Sequence, residues 1–245
     1  MTLRARLYAA LHTGTEGDLA FYAQACANAT RVVELGCGFG RVIEHIARPG
    51  RSVVGVDSDP EMLALARARL AAIDPATFEL VESDMLAYQP EGPVDAVLIP
   101  HSGIYCLLQA EQVLSCFRRV RRWLGDGGVL ALDAYRADEF HEESRPEDLP
   151  DDAAEAVAGL DLDGVHYEVL EASSWDRDNQ RMDARYIHVA DGLHGPAPHY
   201  VTRQRYLLMP ELHALLLQAG FEPPTITSLG DDDQVWAAVC RPRHT

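Results

Sequence analysis

The chain has 245 residues, 47% of them hydrophobic, and a formal net charge of −17 from 38 acidic and 21 basic side chains. That length suits one large domain, or a domain with an insertion, with apolar content enough for a sizeable core. The charge argues against a nucleic-acid backbone or an anionic membrane surface as partner, because such binders present basic faces, and its field draws cations instead. The five cysteines (Cys26, Cys37, Cys106, Cys116, Cys240) contain no C-x-x-C pair, so neither a zinc pattern nor a disulfide framework is expected. Single scattered cysteines suit a reducing cytoplasm. The first residues are not followed by an apolar signal core, and no stretch reaches the ~18 apolar residues of a membrane helix.

Residues 3–29 read as helical, with Leu3, Leu7, Ala10 and Leu11 at helical spacing, a break at His12–Asp18, and Asp18 as the cap of a second helix over Leu19–Ala27. Val32–Leu35 then reads as a short buried strand that runs into Gly36-Cys37-Gly38-Phe39-Gly40 and a helix. The glycines let the backbone take positive φ and let a ligand come close, while the helix start offers unpaired N–H groups. The second strand, Ser52–Val56, ends at Asp57, about twenty residues after Gly36, where a carboxylate can hold a ribose diol. Ser58-Asp59-Pro60-Glu61-Met62 opens the next helix, which continues to Ala72, with Pro60 in its first turn.

A third strand is expected over Thr77–Val81 and a fourth over Val94–Ile99, the latter breaking at Pro100-His101-Ser102-Gly103-Ile104-Tyr105. Ligands of open α/β sheets bind at the carboxyl ends of the strands, which makes His101 the best-placed titratable group: it is either a base or a shaper of the pocket. A helix over Gln109–Leu124 carries Arg118, Arg119, Arg121 and Arg122 on a face expected to be solvated. Gly125–Gly128 reads as a turn and Val129–Tyr135 as strand five. Strand–helix alternation stops there. Residues 138–163 are rich in acids and read as a mobile or loosely helical excursion, without the regular spacing of a metal site. Three β-rich runs follow, Tyr167–Glu171, Arg185–Val189 and Tyr200–Tyr206, with a hairpin turn at Asp176–Gln180. A helix over Met209–Gln218, stopped by Gly220, a strand Thr225–Leu229, a turn at 230–233 and a strand Val235–Cys240 close the chain.

Glycine spacing separates two nucleotide folds. The dinucleotide fingerprint is G-x-G-x-x-G. Here the pattern is G-x-G-x-G, and Arg41 stands where a dinucleotide enzyme has Gly or Ala, which disfavours a nicotinamide oxidoreductase. Glu34–Gly40 instead resembles motif I of the class I S-adenosylmethionine (SAM) dependent methyltransferases. Gly55–Leu63 resembles the family's motif II, Arg122–Leu130 its motif VI region, and Leu215–Phe221 its sixth helix and exit. The resemblance covers roughly 30–135 and 207–241.

It implies an α/β fold: a Rossmann-like seven-stranded sheet with helices on both faces, plus a small antiparallel insert. The expected organisation is a SAM-binding core, 1–135 and 207–245, with a helical lid at 1–29, and an insert at 136–206 over the acceptor site. In the family an acid after strand three accepts from the adenine amine, and Asp84 and Met85 match that position. The implied cofactor set is Glu34 (for the methionine ammonium, through water), Gly36, Cys37, Gly38, Gly40, Asp57, Ser58, Met62, Asp84, Met85 and Pro100. Tyr8, Tyr22 and His12 are lid candidates, Tyr105 and Tyr135 candidate substrate contacts, and His101 the candidate base. The implied activity is methyl transfer to a nitrogen or oxygen of a small metabolite, by a monomer or homodimer, without metal. The alternative is an inert module that holds SAM or S-adenosylhomocysteine (SAH).

Overall fold

A computed structural model of the chain describes residues 1–145, 153–192, 196–231 and 233–243. In chain order its elements are α1 Leu3–Leu11, α2 Asp18–Ala25, β1 Arg31–Leu35, α3 Arg41–Ile46, β2 Ser52–Asp57, α4 Pro60–Arg69, β3 Phe78–Glu82, β4 Val94–Ile99, α5 Ala110–Trp123, β5 Leu124–Tyr135, α6 Asp138–Glu143, β6 Ala154–Leu162, β7 Val165–Asp176, β8 Arg181–Val189, β9 His199–Arg205, α7 Met209–Ala219, β10 Thr225–Leu229 and β11 Val235–Cys240. They fall into two units, Gly14–Arg136 with Leu208–Thr245, and Met1–Thr13 with Ala137–Leu207.

The larger unit holds a seven-stranded sheet in the order β10-β11-β5-β4-β1-β2-β3. β5, β4, β1, β2 and β3 run parallel, and β11 and β10 antiparallel to their neighbours. This is the expected seven-stranded, Rossmann-like sheet with a closing antiparallel hairpin. The interior strands are apolar runs because both faces are covered: Val32, Val33, Leu35, Val53, Val56 and all of Ala96–Ile99 are buried. Strand order reverses between β1 and β4, the switch point at which ligands of such sheets bind. The expected turn at Gly125–Gly128 lies within β5: pairing jumps from Val94↔Leu124 to Ala96↔Val129, so the segment bulges out of the ladder, with Gly127 at φ +81°.

Two local expectations change. Gly17, at φ +84°, precedes α2, and Asp18 is its first helical residue rather than its cap. The Asp18 carboxylate is drawn to a distant cation instead. On α5, two of the four arginines are not simply solvated. Arg119 donates to Tyr88 O at 2.6 Å, and Arg121 donates to Gly220 O at 3.1 Å, at the carbonyl end of α7 where a cation is favoured.

The smaller unit is a four-stranded antiparallel sheet in the order β6-β7-β8-β9. The hairpin at Asp176–Gln180 is present, closed by Asn179 N to Asp176 Oδ1 at 3.1 Å. The acidic excursion proves more ordered than its composition indicates. It contributes α6 and then β6, whose register on β7 runs from Ala154↔Ala172 to Leu162↔Val165. Glu147, Asp148, Asp151 and Asp152, with Pro146 and Pro150, lie outside the described residues, as does Asp232 of the 230–233 turn. No helix is long and apolar enough to cross a membrane among the described residues.

Candidate functional site

The candidate site lies at the carboxyl ends of β1, β2, β3 and β4. Past Leu35 the chain leaves the sheet, and Gly36 N and Cys37 N both donate to Val56 O at 2.8 and 3.0 Å, stitching the turn to β2. Gly36, Gly38 and Gly40 all have positive φ (+73°, +52° and +78°). A Cβ on Gly38 would meet nothing within 4 Å, and one on Gly36 would reach only the Met85 methyl at 4.0 Å. The turn therefore presents bare backbone to open space beside Met85. Gly40 serves packing: a Cβ there would stand 3.2 Å from Ala66 Cβ on α4. Cys37 is buried beneath the turn.

Asp57 ends β2. Its Oδ2 accepts Gly38 N–H at 2.7 Å and its Oδ1 accepts Asp59 N–H at 2.8 Å. The capping of α4 falls to Asp59, whose Oδ1 accepts Glu61 N–H at 2.8 Å, with Pro60 at the first position. Asp57 is thus free of the cap role. Burial raises its carboxyl above the ordinary range, and the backbone N–H groups of Asp59 and Gly38 oppose the rise. Its own carbonyl accepts Ser83 N–H at 3.0 Å, which brings the β3 exit alongside. There Asp84 is exposed, with Oδ1 accepting Leu86 N–H at 2.7 Å, and Met85 is half-buried. Ser58 is exposed and Met62 buried.

Glu34 pairs with Gly55 on one side and Leu98 on the other, deep in the sheet. It is 1% exposed, and its Oε2 has no hydrogen-bond partner among the described residues. Burial pushes its carboxyl up to about 8, with Arg41 opposing and Asp57 reinforcing. Arg41 does not come down onto the glycine turn. Its guanidinium takes Asp18 in two hydrogen bonds, 2.9 and 2.6 Å, and lies so close over Gly14 that a Cβ there would stand 2.3 Å from Cζ.

At the β4 exit, Pro100 is buried and its carbonyl accepts Gly103 N–H at 2.9 Å. His101 and Ser102 both adopt left-handed backbone, φ +53° and +56°, a conformation that costs a non-glycine residue about 1–2 kcal/mol. His101 is itself solvent-exposed, yet the chain packed around the ring, then the Arg41 charge, lower its imidazole pKa, with Asp18 opposing. Tyr22, a lid candidate and possible substrate contact, and Tyr105, a candidate substrate contact, both lie within the larger unit. Both are fully buried. The Tyr22 hydroxyl donates to Asp133, and the Tyr105 hydroxyl donates to Tyr135 O at 2.9 Å. Their hydroxyls are used inside the core. Tyr135 is half-buried and packs edge-on against Tyr105, ring centroids 5.0 Å apart. Tyr8 and His12 belong to the smaller unit, where they pack on Tyr200 with centroids at 5.3 and 5.9 Å.

Sequence reasoning missed two features of this site. One is the Asp18–Arg41 pair. The other is Asp133, a carboxylate in the apolar run Leu130-Ala131-Leu132-Asp133-Ala134 and itself 1% exposed. An acid inside a buried strand is costly unless bonded, and that was the available signal.

Residues 32–128 match a family model described as a methyltransferase domain. Those residues are a methyltransferase domain similar to the class I SAM-dependent type. The chain is 37% identical over 106 residues to a trans-aconitate 2-methyltransferase of Variovorax paradoxus, a match covering 42% of the chain and 38% of that protein. Several of the curated relatives it matches are spanned over only 37% to 43% of their length. Among solved structures, its fold is similar to that of the CcbJ methyltransferase of Streptomyces caelestis, with TM-score 0.74, 24% identity, and coverage of 93% and 88% of the two chains. It is also similar in fold to an amino pentose methyltransferase of Micromonospora echinaspora, with TM-score 0.69, 21% identity, and coverage of 98% and 97%.

Proposed function

We propose that this chain is a methyltransferase that binds SAM at the tips of β1, β2 and β3 and transfers its methyl group to a nitrogen or oxygen of a small metabolite, releasing SAH. The observation that carries the reading is the Glu34 carboxyl: buried, with Oε2 lacking a partner, beside a bare glycine turn. A buried carboxyl in that state is a natural receptor for a ligand ammonium. Asp57, already oriented by Gly38 N–H and Asp59 N–H, keeps lone pairs for a diol. Asp84 and Met85 are assigned the adenine, and Gly36 and Gly38 the path between. Cys37, Gly40, Ser58, Met62 and Pro100 form the frame of the site.

When bound, SAM supplies an electrophilic methyl carbon on a sulfonium. The chain's part is mostly positional, because holding acceptor and donor in line removes much of the barrier. A neutral amine acceptor needs no base. For a hydroxyl acceptor, His101 is assigned as general base. A depressed pKa keeps its imidazole neutral near pH 7, the form that accepts a proton. The acidic surface and the amino pentose methyltransferase among the fold neighbours support a small acceptor. Tyr135 is retained as a candidate acceptor contact.

The test is SAH formation from SAM with a panel of amines, amino sugars, phenols and carboxylates, for the wild type and His101→Gln. Turnover with at least one acceptor is expected. SAM binding without turnover on any of them would favour the inert-module reading.

A further inference from the structure

Among the described residues, His101 and Ser102 are the only two consecutive non-glycine residues with positive φ; the others, Asp163, Gln180 and Asp233, stand singly. A strained pair persists only where its surroundings hold it. The holder is Asp133, on β5 next to the β4 exit, where Ile99 pairs with Leu132. Its Oδ1 accepts His101 N–H at 2.8 Å, and its backbone carbonyl accepts Ser102 N–H at 3.0 Å. The Ser102 hydroxyl in turn accepts Tyr135 N–H at 3.2 Å. From the other side the Tyr22 hydroxyl, carried in on α2, donates to the same Asp133 oxygen and lies 3.4 Å from Ile99 O. Tyr22 and Asp133 are both buried, at 0% and 1% exposure.

We propose that Asp133 is the positioning residue of the acceptor end of this site. It fixes the left-handed turn at His101 and Ser102, with Tyr22 anchoring its carboxylate, and so determines where the His101 imidazole stands. The inference deepens the proposed function and rests on the reading of the β4 exit as the acceptor side. Neither residue touches a reacting atom in this account. They act through the backbone of His101. The arrangement also gives α2 a role, since the helix delivers the hydroxyl that locks the turn. The charged groups around the imidazole are Arg41, which lowers its pKa, and Asp18, which raises it. A turn that relaxes changes the distance of this exposed ring from the surrounding chain, Arg41 and Asp18, so its titration reports its position.

The test uses the whole protein labelled at histidine, with SAM as the only ligand, and needs no acceptor. Two quantities are read by NMR: exchange of the His101 amide and titration of the His101 imidazole. In Asp133→Ala the amide is expected to exchange about tenfold faster or more, the loss of one charge-assisted hydrogen bond. The imidazole pKa is expected to rise toward its ordinary value, and SAM affinity to stay within about twofold. Asp133→Asn keeps an acceptor oxygen and is expected to restore both quantities. Unchanged exchange and titration in Asp133→Ala would overturn the proposal. Should that variant lose its cooperative melt, Tyr22→Phe decides. It keeps the ring volume and frees the carboxylate, so faster His101 exchange supports the assignment and unchanged exchange refutes it. Full methyl transfer to a hydroxyl acceptor by His101→Gln would remove the base role of His101 while leaving the NMR result standing, so the two failures are distinguishable.

Discussion

The Asp57 carboxylate and the Gly38 amide are joined by a 2.7 Å hydrogen bond that ties the tip of β2 to the middle of the glycine turn. One side chain thereby shapes the cradle and faces it. Replacing Asp57 with Ala removes both the turn's acceptor and the charge offered to the ligand. Hydrogen bonds to charged groups contribute about 1.5–3 kcal/mol, so SAM affinity should fall roughly tenfold to a hundredfold. Asp57→Asn should lose less, because the amide oxygen can still accept Gly38 N–H. Calorimetric titration of both variants checks the order.

With Glu34 as the proposed receptor for the SAM ammonium, cofactor binding should depend on pH. Its carboxyl, pushed up to about 8 by burial, is protonated at neutral pH in the ligand-free protein. An arriving ammonium favours the ionised form, so binding expels a proton. SAM affinity should rise with pH by at most about tenfold per unit until near 8 and then level off. The proton release appears as a dependence of binding heat on the buffer's ionisation enthalpy. Stability follows the opposite course. Between the ordinary carboxyl value of 4.5 and about 8 the folded state holds a proton that the unfolded chain has lost. Stability therefore falls as pH rises through that window. Glu34→Gln should remove the fall, leaving the variant more stable than wild type at pH 9, by on the order of 3 kcal/mol, yet weaker in binding SAM. Urea unfolding at pH 6 and pH 9 measures this.

The Asp18–Arg41 pair holds α2 to the start of α3, and its side chains are only 3% and 13% exposed. Removing one partner of a buried pair strands the other charge, at a cost of about 3–5 kcal/mol. Arg41→Leu alone should lower the urea midpoint strongly. Combining it with Asp18→Leu should recover a good part of the loss. Equal loss in single and double variants would contradict this account of the pair.

Gly55 lies under the glycine turn, where its partner across the ladder is Glu34. A Cβ there would meet Ile43 Cδ1 at 2.4 Å and Cys37 Sγ at 3.0 Å. Gly55→Ala should cost about 1–3 kcal/mol by overpacking, a drop of several degrees in melting temperature. Ile43→Val in the same chain should return part of it.

Much of the βαβ half of the molecule was legible because its signals are local. Glu34–Gly40, Asp57–Pro60 and Val94–Ile99 each announce a strand end or a helix start within ten residues, and β4, β10 and β11 have the expected bounds. What escaped depends on partners far along the chain. Asp18 looks like a cap until Arg41, 23 positions away, claims it. Tyr22 looks like a lid residue until Asp133, 111 positions away, accepts its hydroxyl. β6 was hidden for another reason. Its sequence, AEAVAGLDL, has little intrinsic strand preference, and pairing along β7 overrides it.

The central claim is that Glu34, the glycine turn, Asp57 and Asp84 form one receptor for SAM. Isothermal titration of the purified protein with SAM at pH 8 tests it most directly. The account predicts saturable binding with one site per chain, weakened at least tenfold in Asp57→Ala and in Glu34→Gln. Absence of binding by the wild type, or equal affinity in all three proteins, would contradict it.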